Sequence, residues 1–284
     1  MEAKQFLETN LNKEKKMNPY RDIRKVPLDF EGISSSAYAI QRETSKGWKE
    51  AGVVGHNYLL VPNAEVRDAA EMVARESSIN FTLDKEFFNG KNFIYSMRSN
   101  HILGEVEAGD DVALGIQFWN SYDGSRSFGF RMMLYRLACT NGMMSKHFFN
   151  TYKFSHHPNS EDWKGNLNDV VRNINNIASG SKGLDKFISD LKVLNENNLS
   201  TETLGVLRHE YLRDLPDGLW GQIVTKFTNP KGKYFERQNG WNLLNASTDI
   251  LWHKEKPTMA SYQQNAMIVD GLCNAARYEA YWKR

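Results

Sequence analysis

Cysteine is nearly absent: Cys139 and Cys273 are the 2 in the chain, and they stand in neither a metal-binding nor a redox spacing. A disulfide framework is excluded, and a reducing compartment is expected. No apolar run approaches the roughly 18 residues that a bilayer-spanning helix needs, so no membrane association is expected. The opening MEAKQFLETNLNKEKKMNPY has no apolar signal core, which points to a cytoplasmic location, that of the host cell if the gene is a phage's. Neither G-x-x-x-x-G-K-[ST] nor G-x-G-x-x-G occurs, which excludes P-loop hydrolysis. No H-E-x-x-H, C-x-x-C or paired D-x-D accompanies the histidines, and adjacent His156 and His157 point apart in an extended segment. No catalytic residue, metal ligand or cofactor is therefore assigned. Internal repeats and low-complexity tracts are missing too. A net charge of +2 gives no global electrostatic instruction, so any charged surface must be local.

What is present is an ordered change of period. Residues 1–50 read as an arm and lead-in, 51–158 as a mixed β-rich region, and 159–284 as a helical region that could continue the same domain. Residues 52–61, GVVGHNYLLV, read as a strand, and AEVRDAAEMVARES as a helix with Asn63 as its N-cap. Asn89-Gly90 marks a turn between two strand-like runs; side-chain parity asks for a three-residue turn or a bulge there. In VALGIQFWN, Val112, Leu114, Ile116 and Phe118 alternate on one side; Phe128, Phe130, Met132 and Leu134 do so in the next strand. Pairing Asn120 with Arg126 puts all of these on one apolar face. The opposite face carries Gly115, Gln117, Trp119, Gly129, Arg131, Met133 and Tyr135, and is expected to be available to a ligand.

From EDWKGNLNDVVRNINNIA onward the apolar spacing is helical, with Ser160 as a candidate cap. Shorter amphipathic segments and two further helical stretches, GWNLLNASTDILWHK and the segment from Met259 to Trp282, end the chain. Strands first and helices after indicate an α+β fold, with an antiparallel β-hairpin-rich N-terminal half and a mostly helical C-terminal half.

One further absence carries chemistry. From Gly124 to Ser160 there is no Asp or Glu, while Arg126, Arg131, Lys146 and Lys153 are interleaved with aromatics. Phosphates attract such cations, and rings offer base stacking. The bland alternative is core aromatics with solvated arginines. Farther on, Asn242, Asn245, Asp249 and His253 form a narrow polar stripe on a helix otherwise apolar all round. Such a stripe is expected to be a buried hydrogen-bond network. An Asp249–His253 pair poised as a general base is the enzymatic alternative.

NSYDGSRSF, YRLACTNGM, SHH and WNLLNASTDILWH occur here in that order, preceded by YLLVPNAEV and FFNGKNFIYSMRS. Together they resemble the phage- and plasmid-encoded proteins grouped as domain of unknown function 932, over roughly residues 50 to 255. Tyr122 departs from the pattern, since many members are expected to carry histidine there, which argues against catalysis by this loop. The resemblance implies a viral or mobile-element origin and, by gene neighbourhood, DNA handling.

The expected function is binding of single-stranded nucleic acid, as an annealing or recombination accessory acting as a homo-oligomer. Arg126, Arg131, Lys146 and Lys153 would hold phosphates, and Trp119, Tyr122 and Tyr135 would stack on bases. The alternatives are a protein-interaction factor with a host or viral partner, and a hydrolase or nuclease centred on Asp249 and His253.

Overall fold

Strands begin earlier than the sequence pattern suggests. The computed structural model describes residues 17–138, 141–145, 151–180, 182–229, 237–254 and 258–278. Within the stretch read as arm and lead-in, three antiparallel strands form a meander: β1 (Ile23–Phe30), β2 (Ile33–Thr44) and β3 (Gly47–Gly55). Gly47, at φ 98°, makes the second turn, a conformation that side-chain-bearing residues disfavour. This sheet escapes pattern reading because it buries only a thin strip. Ile40, Ala51 and Val54 pack on Tyr122, while Ile33 and Val53 remain 73% and 50% exposed. Strand β3 ends at Gly55, so most of the expected 52–61 strand is irregular chain.

Helix α1 (Asn63–Glu76) follows. Pro62 occupies the cap position, and Asn63 is its first helical residue. Freed from capping, the Asn63 side chain donates to Pro19 O and accepts from Asn120 Nδ2.

The second sheet has six antiparallel strands: β4 (Phe81–Phe88), β5 (Asn92–Glu105), β6 (Asp111–Ser121), β7 (Phe128–Arg136), β8 (Asn141–Met143) and β9 (Thr151–Phe154). Strands β4 to β8 lie in sequence order. β9 pairs with the first half of β7, and β8 with its end. In the β4–β5 hairpin Phe88 faces Phe93, and a bulge between Leu83 and Lys85 shifts the register. The bulge sends Phe87 to one face and Phe81 and Phe88 to the other.

Between β6 and β7 the register is Phe118 to Phe130 and Leu114 to Leu134. That pairing differs from Asn120 opposite Arg126 by an even number of positions, so every side chain keeps its expected face. Val112, Leu114, Ile116, Phe118, Phe128, Phe130, Met132 and Leu134 all lie in one continuous core, which runs from Val61 to Ala276.

The C-terminal half supplies the cover. A 3₁₀ segment (Pro158–Asn166) leads into α2 (Leu167–Ala178), then α3 (Lys182–Glu196), α4 (Thr201–Val206) with a π-helical extension over Leu207–Tyr211, α5 (Asp217–Thr228), α6 (Gly240–Trp252) and α7 (Met259–Ala276). The apolar stripe of the 161–178 segment, Trp163, Leu167, Val170 and Ile174, is buried in the main core, with Val171 and Ile177 partly buried against it. The protein is thus α+β, with antiparallel sheets first and helices mostly after.

The second face of the large sheet is not open. Trp252 at the end of α6, and Tyr262 and Ala266 on α7, pack over Ile94, Trp119, Met133 and Tyr135 as a second apolar cluster. The sequence of the hairpin alone gives no sign of this cover. It depends on helices docking from far along the chain, as when Asn265 Oδ1 accepts from Met144 N at 2.9 Å. No helix among the described residues is long and apolar enough to cross a membrane.

Candidate nucleic-acid interface

Two hairpin loops meet at one end of the large sheet. Asn89 Oδ1 accepts from the backbone N–H of Lys91 and Asn92, closing the β4–β5 turn. Asp123 Oδ1 likewise accepts from Ser125 N in the β6–β7 loop. Tyr122 N donates to Lys91 O at 2.9 Å and ties the loops together.

Between them lies a cavity of about 120 Å³, lined by Asn89, Asn92, Phe93, Ile94, Trp119, Asn120, Arg126 and Thr258. Arg126 is half-buried, and its guanidinium makes no hydrogen bond or ion pair with the described residues. Trp119 forms a wall, only 3% exposed, with its indole N–H committed to Ser127 O at 2.9 Å. Among the buried atoms without a hydrogen-bond partner are Asn92 Oδ1 and Asn120 Oδ1.

Arg131 sits behind that wall. Its guanidinium carbon lies 4.8 Å from the centre of the Trp119 ring and 5.7 Å from that of Tyr262. The residue as a whole is half-buried, but Nε and Nη2 are shut off from solvent and have no hydrogen-bond partner. Burial pushes its pKa down to about 10, leaving it cationic at neutral pH. Neighbouring Gln117 donates to Ser96 Oγ at 3.1 Å while its own oxygen stays unpaired. Burial pushes the Tyr262 pKa above the usual phenol value, and its hydroxyl has no hydrogen-bond partner among the described residues.

Lys153 is exposed on β9 opposite Gly129, with no ion pair among the described residues. Paired residues share a face, so Lys153 projects on the Trp119 side of the sheet. Gly129 permits this packing: a Cβ there would stand 2.1 Å from Tyr152 O and 2.7 Å from the Trp119 ring. Arg131, Lys153 and Trp119 therefore share one face of the sheet, and Arg126 stands in the loop at the Trp119 end. Lys146 lies outside the described residues. Two cations that the sequence did not single out join this end. The Arg42 guanidinium reaches within 3.3 Å of where a Gly90 Cβ would be, and Lys91 lies 4.0 Å from Asp123.

Other expected site residues have structural roles. Tyr122 is 2% exposed; its hydroxyl accepts from Asn63 N at 2.8 Å, and burial pushes its pKa above the usual phenol value. Tyr135 is fully buried and donates to Asp84 Oδ2 at 3.1 Å. Neither ring presents a stacking surface; of the expected aromatics, only Trp119 borders the cavity.

The polar stripe on α6 is buried only in its first half. Asn242 donates to Arg237 O at 2.7 Å and Asn245 to Trp241 O at 2.8 Å. Asp249 and His253 lie toward the surface, the latter 47% exposed. Asp249 is ion-paired with Lys226. Asn141 Nδ2 donates to Asn245 O, which leaves Asn141 Oδ1 to accept from His253 Nε2 at 3.0 Å. That nitrogen carries the proton and lies 3.7 Å from Asp249, beyond hydrogen-bond distance.

A family model described as Domain of unknown function (DUF932) matches residues 50–282. No curated protein and no solved structure matches the chain.

Proposed function

Since the chain belongs to the family described as Domain of unknown function (DUF932), a description that names no activity, we propose from the site itself that it binds single-stranded nucleic acid at the hairpin-loop end of the large sheet. The observation that carries this reading is Arg126, without a carboxylate partner among the described residues, at a cavity walled by Trp119, with Lys153, likewise unpaired among them, on the same face of the sheet two strands away. Cations held in place without counter-charges favour a polyanion, and each phosphate they neutralise releases counterions. Arg131 adds a fixed positive charge behind the ring. A single strand suits the site better than a duplex because contacts inside a small cavity need unpaired bases. Annealing or recombination by an oligomer is the process we assign to it.

Fluorescence anisotropy with labelled single-stranded oligonucleotides across a salt series tests the reading. Affinity should fall with salt, with a log–log slope of about −0.7 per phosphate neutralised. Arg126→Ala and Lys153→Ala should each lower that slope by roughly one such unit on every sequence. Absence of any oligonucleotide affinity at moderate salt would overturn it in favour of a protein-interaction surface.

A further inference from the structure

We propose that Arg131, Thr151 and Lys153 form a seat for a phosphomonoester, the group found at the end of a phosphorylated strand or on a free phosphate compound. The seat shares two residues with the strand-binding function proposed above and does not depend on it.

Strand register sets the three side by side. Arg131 pairs with Thr151, and Gly129 with Lys153, so the three side chains project from one face of β7 and β9. Paired Cβ atoms lie about 5 Å apart and diagonal neighbours about 7–8 Å. The Trp119 ring lies over Gly129, where a Cβ would stand 2.7 Å from it. The Arg131 guanidinium carbon, 4.8 Å from the centre of that ring, is thereby carried toward the row of Lys153. The apolar cover from α6 and α7 packs on Ile94, Trp119, Met133 and Tyr135, while Thr151 and Lys153 stay exposed.

What these groups lack points to the ligand. Arg131 Nε and Nη2 are enclosed without partners; Nη1, which also bonds to none of the described residues, is the nitrogen left at the surface. Neither the Thr151 hydroxyl nor the Lys153 ammonium has a partner among the described residues. The two rows of paired residues that hold them, running across β4, β5, β6, β7 and β9, carry Lys85, Arg131 and Lys153 and no Asp or Glu. A cation enclosed without a counter-charge is costly, and an anion at Nη1 offsets that cost. Donors on three side chains ask for three acceptor oxygens, and two positive charges for a dianion. A carboxylate offers two oxygens and one charge, and a phosphodiester two free oxygens and one charge. A phosphomonoester offers three oxygens and about −1.5 to −2 of charge at pH 7.

The test follows the melting temperature of the full chain in inorganic phosphate, methyl phosphate and dimethyl phosphate at constant ionic strength. Phosphate also stabilises folded proteins by exclusion from their surface, so the readout is the saturable rise beyond that of Arg131→Met. A ligand that binds only the folded state produces such a rise. Methyl phosphate should match inorganic phosphate, and dimethyl phosphate should bind about tenfold or more weakly. Thr151→Val should weaken phosphate by about tenfold, as loss of one hydrogen bond to a charged group does. Lys153→Gln should weaken it at least as much. Equal rises in wild type and Arg131→Met, or equal responses to monoester and diester, would overturn the seat. Anisotropy separates the sources: tighter binding of a strand with a terminal phosphate than of its hydroxyl counterpart, lost in Arg131→Met, assigns the seat to a strand's end. Equal affinity for both strands with the saturable rise intact assigns it to a free phosphate compound. Salt-dependent strand binding without the rise removes the seat and leaves strand binding standing; the rise without any strand binding does the reverse.

Discussion

Arg131 and Phe130 are neighbours in sequence with opposite expected responses to mutation. Phe130 is 1% exposed in the main core, stacked among Phe118, Tyr152 and Phe154. Phe130→Ala should cost about 3–5 kcal/mol through lost burial and the cavity left behind. Arg131 points the other way, where two of its nitrogens are buried without partners. Its folded pKa, about 10, lies below the ordinary arginine value, so its charge opposes folding at every pH below that. Arg131→Met keeps the stem that packs on Trp119 and removes the charge. Thermal or urea unfolding should show it more stable than wild type, by roughly 1–3 kcal/mol. Strand affinity should fall in the same variant. A residue that costs stability and supports binding is one the fold retains for function; a loss of stability in Arg131→Met would contradict this placement.

Between elements, one histidine makes a joint. His156, just past β9, accepts at its backbone O from Leu59 N at 3.0 Å, and its Nδ1 lies 2.8 Å from Leu59 O. It stacks on Tyr58 at 4.4 Å between ring centres. Since a carbonyl can only accept, Nδ1 carries the proton, and buried Nε2 is left without a partner. Burial lowers the pKa. The unfolded chain, with a histidine near 6.5, thus takes up a proton before the folded protein does. Stability from this group is complete above about pH 6.5 and declines as pH falls from there toward the depressed folded value. Melting temperature followed from pH 7.5 to 5 should therefore fall less steeply in His156→Gln, which can still donate to Leu59 O. Parallel curves for the two proteins would assign the acid sensitivity elsewhere.

What the sequence discloses follows the same division by element. The faces of β6 and β7 were legible because a parity argument tolerates an even register error. The meander β1–β3 was not, because a sheet that buries Ile40 and Val54 but exposes Ile33 and Val53 has no clean alternation. Arg126 and Lys153 stood out through the acid-free run, and Trp119 through the alternation that put it on the second face of β6. Arg42 and Lys91 did not, since both lie outside that run and only the folded hairpins bring them to the same end.

At the scale of the whole molecule, sheet and helices share a buried charge. Arg136, fully buried at the end of β7, donates through Nε and Nη2 to Asp110, each at 2.6 Å. Trp241, in the first turn of α6, donates its indole N–H to the same carboxylate at 2.7 Å. One acidic side chain ahead of β6 thereby links the β-rich and helical halves, which also share the core that runs from Val61 to Ala276. Buried pairs of this kind add little over an apolar replacement, but removing one partner leaves a charge in a dry interior. Asp110→Asn keeps the shape and removes the counter-charge, so unfolding free energy should drop by about 3–5 kcal/mol. Because the link lies within a continuous core, the loss should appear as one cooperative transition shifted to lower denaturant, with an unchanged slope. Circular dichroism in the far ultraviolet and tryptophan fluorescence, which weight the two halves differently, should report coincident midpoints. Separation of the two midpoints in the variant would mean that the halves fold as distinct units, joined by this carboxylate rather than by the shared apolar core.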